Sequence, residues 1–144
     1  MHRFWQPFLI VAMLALTACH ESGTWVDDPR NFERFFATRK PNDVTVAHSR
    51  YWRSPHFTFE YDAYLQIRSN ANFQKLILSQ PLKKVTDTNT VQYLRGATSK
   101  SIDWFAPKPL DRYDIWTSTN YPERSAFCIL IDRETGDMFF TDRQ

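Results

Sequence analysis

Glycine is scarce here, with three in 144 residues, and none forms a Gly-rich stretch that could cradle a phosphate. Nucleotide binding through such a loop is therefore not expected. The two cysteines, Cys19 and Cys128, form no Cys-x-x-Cys pair, and the four histidines fall into no His-x-His or His-Glu-x-x-His spacing. No metal or other cofactor is expected. A serine nucleophile would need an elbow such as Gly-x-Ser-x-Gly to hold it, and none is present. An excess of one charge is also missing: 18 basic residues stand against 16 acidic ones, and the densest basic runs are the pairs Arg39-Lys40 and Lys83-Lys84. That balance gives no electrostatic footing for nucleic acid. Repeats and low-complexity linkers are absent as well.

What the chain has in quantity is aromatic rings, 16% of its residues. Rings bury large areas, so one compact core is attainable at this length. The same rings, where exposed, would serve recognition.

The first segment has a short positive start at Met1-His2-Arg3 and an apolar run from Phe8 to Leu16. Such a run is the length of a signal-peptide core, roughly 7–15 residues, and is short of the about 20 a spanning helix needs. It ends in Leu16-Thr17-Ala18-Cys19. These four residues resemble the lipobox of bacterial lipoproteins, where signal peptidase II cuts before a lipidated cysteine. The resemblance implies that residues 1–18 are a lipoprotein signal peptide and that Cys19 is acylated as the only membrane attachment. Residue 20 is His rather than the Asp that commonly retains lipoproteins in the inner membrane. By the same resemblance the protein is lipid-anchored in the cell envelope, at the outer membrane facing the periplasm in a Gram-negative host. Residues 19–24 are expected to be a lipidated tether and 25–144 a single globular domain. With Cys19 assigned to lipid, Cys128 lacks a disulfide partner; its apolar neighbours 126–131 make it a buried, inert thiol.

Along the domain, Asp28 and Pro29 suit a helix start, and Phe32, Phe35 and Phe36 lie on one helical stripe that ends near Lys40-Pro41. A strand is predicted over 44–52, with Val44, Val46, His48, Arg50 and Trp52 on one side. A cleanly alternating strand over 57–67 follows through a hairpin at 53–56. Asn70 caps a second helix carrying Phe73, Leu76 and Ile77, which Pro81 stops. A helical turn over 91–95 would end at Gly96, and 104–109 should be extended because of Pro107 and Pro109. Strands over 113–118, 125–132 and 138–142 complete the chain, the last two joined by a tight loop with Gly136 in the left-handed position. The run over 125–132 is apolar on both faces, which places it inside the sheet. The expected fold is α+β: an antiparallel sheet of about five strands with two or three short helices packed on one face.

The densest polar-aromatic segment runs from His48 to His56. His48, Arg50, Tyr51, Trp52, Arg53, His56 and Trp104 form the candidate binding patch, since Trp, Tyr and Arg dominate interface energetics. Trp116 is a further candidate of the same kind. The favoured expectation is a non-catalytic envelope lipoprotein that binds a protein partner in the periplasm, as an accessory subunit or an immunity-like inhibitor. The alternative is a small-ligand or peptidoglycan-binding module using the same aromatic residues. A third is a small hydrolase using His48, His56 and Glu60.

Overall fold

The computed structural model describes residues 21–55, 60–86, 102–119 and 127–144. In chain order these hold strand β1 (Gly23–Val26), helix α1 (Asn31–Phe36), strands β2 (Val46–Arg53) and β3 (Tyr61–Ile67), and helix α2 (Ala71–Leu78). Strand β4 (Leu82–Lys84), a 3-10 turn (Leu110–Arg112), and strands β5 (Tyr113–Ser118), β6 (Cys128–Asp132) and β7 (Met138–Arg143) follow. The strands form one antiparallel sheet in the order β1-β2-β3-β7-β6-β5-β4. The expectation of about five strands in an α+β fold is thus wrong: seven strands and two short α-helices make this a mostly-β fold among the described residues.

The two missed strands are both edges. β1 has four residues and begins at Gly23, inside the stretch expected to be tether; Gly23 and Thr24 pair with Arg53 and Trp52. β4 has three residues directly after Pro81, and pairing with β5 holds it. Neither is long enough to show an alternation. Their order comes from the neighbouring strand, which no local pattern encodes. The helical turn expected over 91–95 lies outside the described residues.

Alternation does define the two faces of the sheet. Leu65, Ile67, Ile129, Ile131, Met138 and Phe140 point to one face and bury Phe32 of α1 and Phe73 of α2, with Phe35, Phe36 and Ile77 around them. Both helices therefore pack on one face, as expected. Phe36 meets Phe140 edge-on at 5.2 Å and Phe73 perpendicularly at 5.9 Å, the arrangement ring quadrupoles favour. Each such ring buried contributes about 1.5–3 kcal/mol relative to exposure. The opposite face carries Tyr64, Tyr113, Ile115, Cys128, Leu130 and Phe139, covered by Phe105 and its neighbours Ile102, Trp104, Ala106 and Leu110. An irregular proline-bearing segment thus covers the second face. Lys108 anchors it through ion pairs at 2.9 Å to Asp132 and to Glu134.

β6 is buried along its whole length, between β7 and β5, which accounts for its unbroken apolar run. α2 is capped as its sequence implies: Asn70 Oδ1 accepts the N–H of Phe73 at 2.9 Å. α1 is shorter than expected and ends at Phe36, where Ala37 adopts a left-handed φ of 52°. Asp28 is not its cap; its carboxylate accepts the N–H of Arg30 one turn earlier.

β2 carries a bulge between Val46 and His48, so the single-sided row expected from Val44 to Trp52 breaks. Val44 and Val46 join the helix-side core, whereas His48, Arg50 and Trp52 point to the other face. Ser49, Tyr51 and Arg53 then share the helix side.

Candidate functional site

The alternation of β2 after the bulge divides the candidate patch. Tyr51 and Arg53 lie on the helix side of the sheet and His48, Arg50 and Trp52 on the other, so the five do not form one surface. His56 lies outside the described residues, as does Cys19.

On the helix side, β1, β2, β3 and β7 place Trp25, Tyr51, Ala63 and Asp142 in one row across the strands. A groove of about 500 Å³ opens over the β1–β2 end of this row, lined by Glu21, Trp25, Arg30, Glu33, Arg34, Tyr51 and Arg53. Trp25 and Tyr51 stand 6.0 Å apart, and Tyr51 stacks on Tyr61 at 5.8 Å with the rings 8° from parallel. The Arg34 guanidinium lies 4.5 Å over the Trp25 ring, a cation–π contact.

Arg34 is held there by two further groups. It donates to Asn31 Oδ1 at 2.6 Å and lies 3.3 Å from the Asp28 carboxylate. Asn31 is fully buried; its amide donates to the Trp25 carbonyl and to Ser49 Oγ, each at 3.0 Å. One asparagine thus joins α1, β1 and β2 and aims Arg34 at Trp25. Asp28 has its pKa lowered, chiefly by the backbone N–H of Arg30 and also by Arg30 and Arg34 themselves. Burial pushes the Tyr51 phenol up, with Arg53 and Arg34 opposing.

Asp142, at the β7 end of the same row, is 7% exposed. Its Oδ2 accepts the Tyr61 hydroxyl at 2.5 Å, while its Oδ1 has no hydrogen-bond partner among the described residues. Burial raises its pKa, with the hydrogen bonds from Tyr61 and Arg143 opposing.

On the other side of the sheet, His48 stacks on Trp104 at 5.4 Å with the rings 27° apart. Its Nδ1 lies 3.7 Å from Asp27 Oδ2, and both side chains are about half exposed. Of the three residues expected for a hydrolase, His56 lies outside the described residues, and His48 and Glu60 are not brought together. Glu60 lies opposite Ser54, six residues along β2 from His48, which is roughly 20 Å of strand. Trp116, a further candidate, is partly buried against the helix-side core. Among the described residues no three His, Cys, Asp or Glu side chains gather as a metal site, and no helix is long and apolar enough to cross a membrane.

Sequence reasoning missed Trp25, Arg30, Glu33, Arg34 and Asp142. A signal existed for the α1 residues, since Arg30, Glu33 and Arg34 lie off the Phe32-Phe35-Phe36 stripe and so had to face something polar. Trp25 carried none, because its strand forms only against β2.

Set against known proteins, the chain finds no counterpart: no family profile, no curated protein and no solved structure matches it.

Proposed function

We propose that this chain is a non-catalytic, lipid-anchored envelope protein that binds a protein partner through the groove at the β1–β2 end. The observation that supports this is the groove's composition: Trp25, Tyr51, Arg30, Arg34 and Arg53 gather in one open concavity. These residue types carry most binding energy where proteins meet. Arg34 is already fixed over Trp25 and only 19% exposed, so little side-chain entropy remains to be lost on docking. The Cys19 anchor, proposed on the resemblance of 16–19 to a lipobox, stands four residues before β1. Four residues span at most about 14 Å, which would hold the groove close to the membrane surface. A partner would then be met at the periplasmic face of the outer membrane, as an accessory subunit or immunity-like protein meets its target.

Capture from cross-linked membranes tests this. Partners recovered with the unaltered chain should be lost with Tyr51→Ala and with Arg30→Glu, and kept with Trp52→Ala on the opposite face. Loss with Trp52→Ala alone would move the site to the other side of the sheet. A second reading, a peptidoglycan or small-ligand module, is favoured by the concavity itself, since about 500 Å³ is within the usual range for ligand sites. Binding of purified sacculi that disappears in Tyr51→Ala would select it.

A further inference from the structure

The two edges of the sheet are built differently. β4 follows Pro81, presents Lys83 and Lys84 and is only three residues long, all features that discourage strand addition. Lys84 is in addition held by Asp114 at 2.9 Å. β1 reads Gly-Thr-Trp-Val and contains no charge and no proline. Its Val26 is 63% exposed, the more open of the two large apolar side chains exposed among the described residues.

The backbone of β1 also shows which groups remain open. Asp27 donates its N–H to the Ser49 carbonyl at 2.8 Å, and its carboxylate accepts the Ser49 N–H at 2.7 Å, so residues 27 and 49 form a hydrogen-bonded pair. Hydrogen-bonded pairs recur every second residue in an antiparallel ladder, so Trp25 and Gly23 also bond toward β2. The N–H and C=O groups of Thr24 and Val26 therefore point outward, where no strand of the described chain lies.

We infer that this edge pairs with β1 of a second copy of the same chain, antiparallel about a two-fold axis through Trp25. In that register Thr24 faces Val26 of the second copy, and Val26 faces its Thr24. Both outward-facing residues of each strand then bond each other, giving four hydrogen bonds with none left over. The axis opposes Trp25 to Trp25 at the non-hydrogen-bonded position, where side chains stand closest. No like charges oppose each other, since Asp27 faces Gly23 and Asp28 faces Ser22 of the second copy. Glu21 instead runs toward the turn carrying Arg30, whose side chain is 67% exposed. A four-residue edge is small for a stable interface in solution. The inference therefore takes one thing from the proposed function, the anchor at Cys19: residues 19–22 would confine both edges to one membrane and raise their local concentration. The two grooves would then lie side by side on one face of a continuous sheet.

The test uses the chain purified from membranes and reconstituted in phospholipid vesicles, labelled through Lys75→Cys because buried Cys128 does not compete. Mass spectrometry first reads lipid on Cys19, so failure of the anchor is scored separately from failure of the pairing. Energy transfer between copies above that of randomly mixed labelled lipid is expected. It should be lost in Val26→Lys and in Thr24→Pro, which removes an outward N–H and leaves the β1–β2 ladder intact. It should persist in Lys83→Val at the other edge. Transfer at the random level in the unaltered chain, or unchanged in both β1 variants, overturns the inference. Transfer that requires added envelope extract also overturns it, by showing that the edge receives a strand from another protein.

Discussion

Tyr61 donates its hydroxyl at 2.5 Å to the carboxylate of Asp142, a residue only 7% exposed. Asp142 binds its proton more tightly in the folded chain than its ordinary value near 3.8 would allow, because burial disfavours the charge. Stability owed to that proton is full below the unfolded value and is lost as pH rises through the higher folded value. Asp142→Asn should therefore stabilise the fold at neutral pH and flatten the acid end of its stability profile. Tyr61→Phe should cost roughly 1.5–3 kcal/mol at neutral pH, the usual range for a hydrogen bond to a charged group. That cost should shrink on acidification, as the carboxyl takes up its own proton. Urea unfolding of both variants at several pH values checks the sign; a Tyr61→Phe cost that grows toward acid would contradict it.

Asn31 connects three elements, and removing it leaves the Trp25 carbonyl and Ser49 hydroxyl without their buried donor. Asn31→Ala should cost about 2–3 kcal/mol, several times the effect of an ordinary surface change. Arg34 also loses the oxygen that holds it at 2.6 Å, so it should leave the Trp25 ring. A change in tryptophan emission that Arg34→Ala reproduces, without the same loss of stability, would separate the two effects. Equal stability losses in the two variants would assign the cluster's strength to the arginine.

The legible parts of this fold are those with a local cause. The Asn70 cap, the tight β6–β7 loop, the double-sided run of β6 and the phenylalanine stripe of α1 each follow from a few neighbouring residues. The illegible parts depend on distant ones. β1 and β4 exist because β2 and β5 pair with them, and the bulge after Val46 turns His48 away from a row it was expected to share with Val44 and Val46. For the same reason the candidate site was half read. Tyr51 and Arg53 were found from residue type, whereas Trp25 and Arg34 became part of it only when β1 and α1 packed beside β2. His48 acquires its carboxylate from Asp27, twenty-one positions back, and not from the Glu60 that lies nearer in the hairpin.

Gly136 closes the β6–β7 turn at φ 75°, and a Cβ placed on it would stand 2.6 Å from Ser69 Oγ. Gly136→Ala therefore meets two obstacles, a left-handed backbone and a contact that must shift. A loss of about 1–2 kcal/mol follows from the backbone alone. Ser69→Ala in the same chain removes the close oxygen and leaves the backbone cost, so the double variant should recover part of the stability and not all of it. Full recovery in thermal unfolding would mean that the turn tolerates alanine and that the side-chain contact was the whole effect.

The two cysteines should both resist thiol reagents in the native protein, for different reasons. Cys128 is fully buried between Leu130 and Phe139, and burial alone pushes its thiol up to about 12 from 9.0. Its thiolate is therefore scarcer than in the unfolded chain, and reactivity follows the thiolate. A maleimide should leave Cys128 untouched in the native protein and modify it at the rate at which the sheet opens. If Cys19 is lipidated as proposed, it should be unreactive for a different reason, its sulfur being bonded to lipid and no longer a thiol. Cys19→Ser should accumulate as a precursor that retains residues 1–18 and takes up no labelled palmitate. Mass spectrometry of the membrane fraction distinguishes the cases. A Cys19→Ser chain still cut at the same bond would overturn the lipobox reading, and with it the anchor proposed to bring the groove to the membrane.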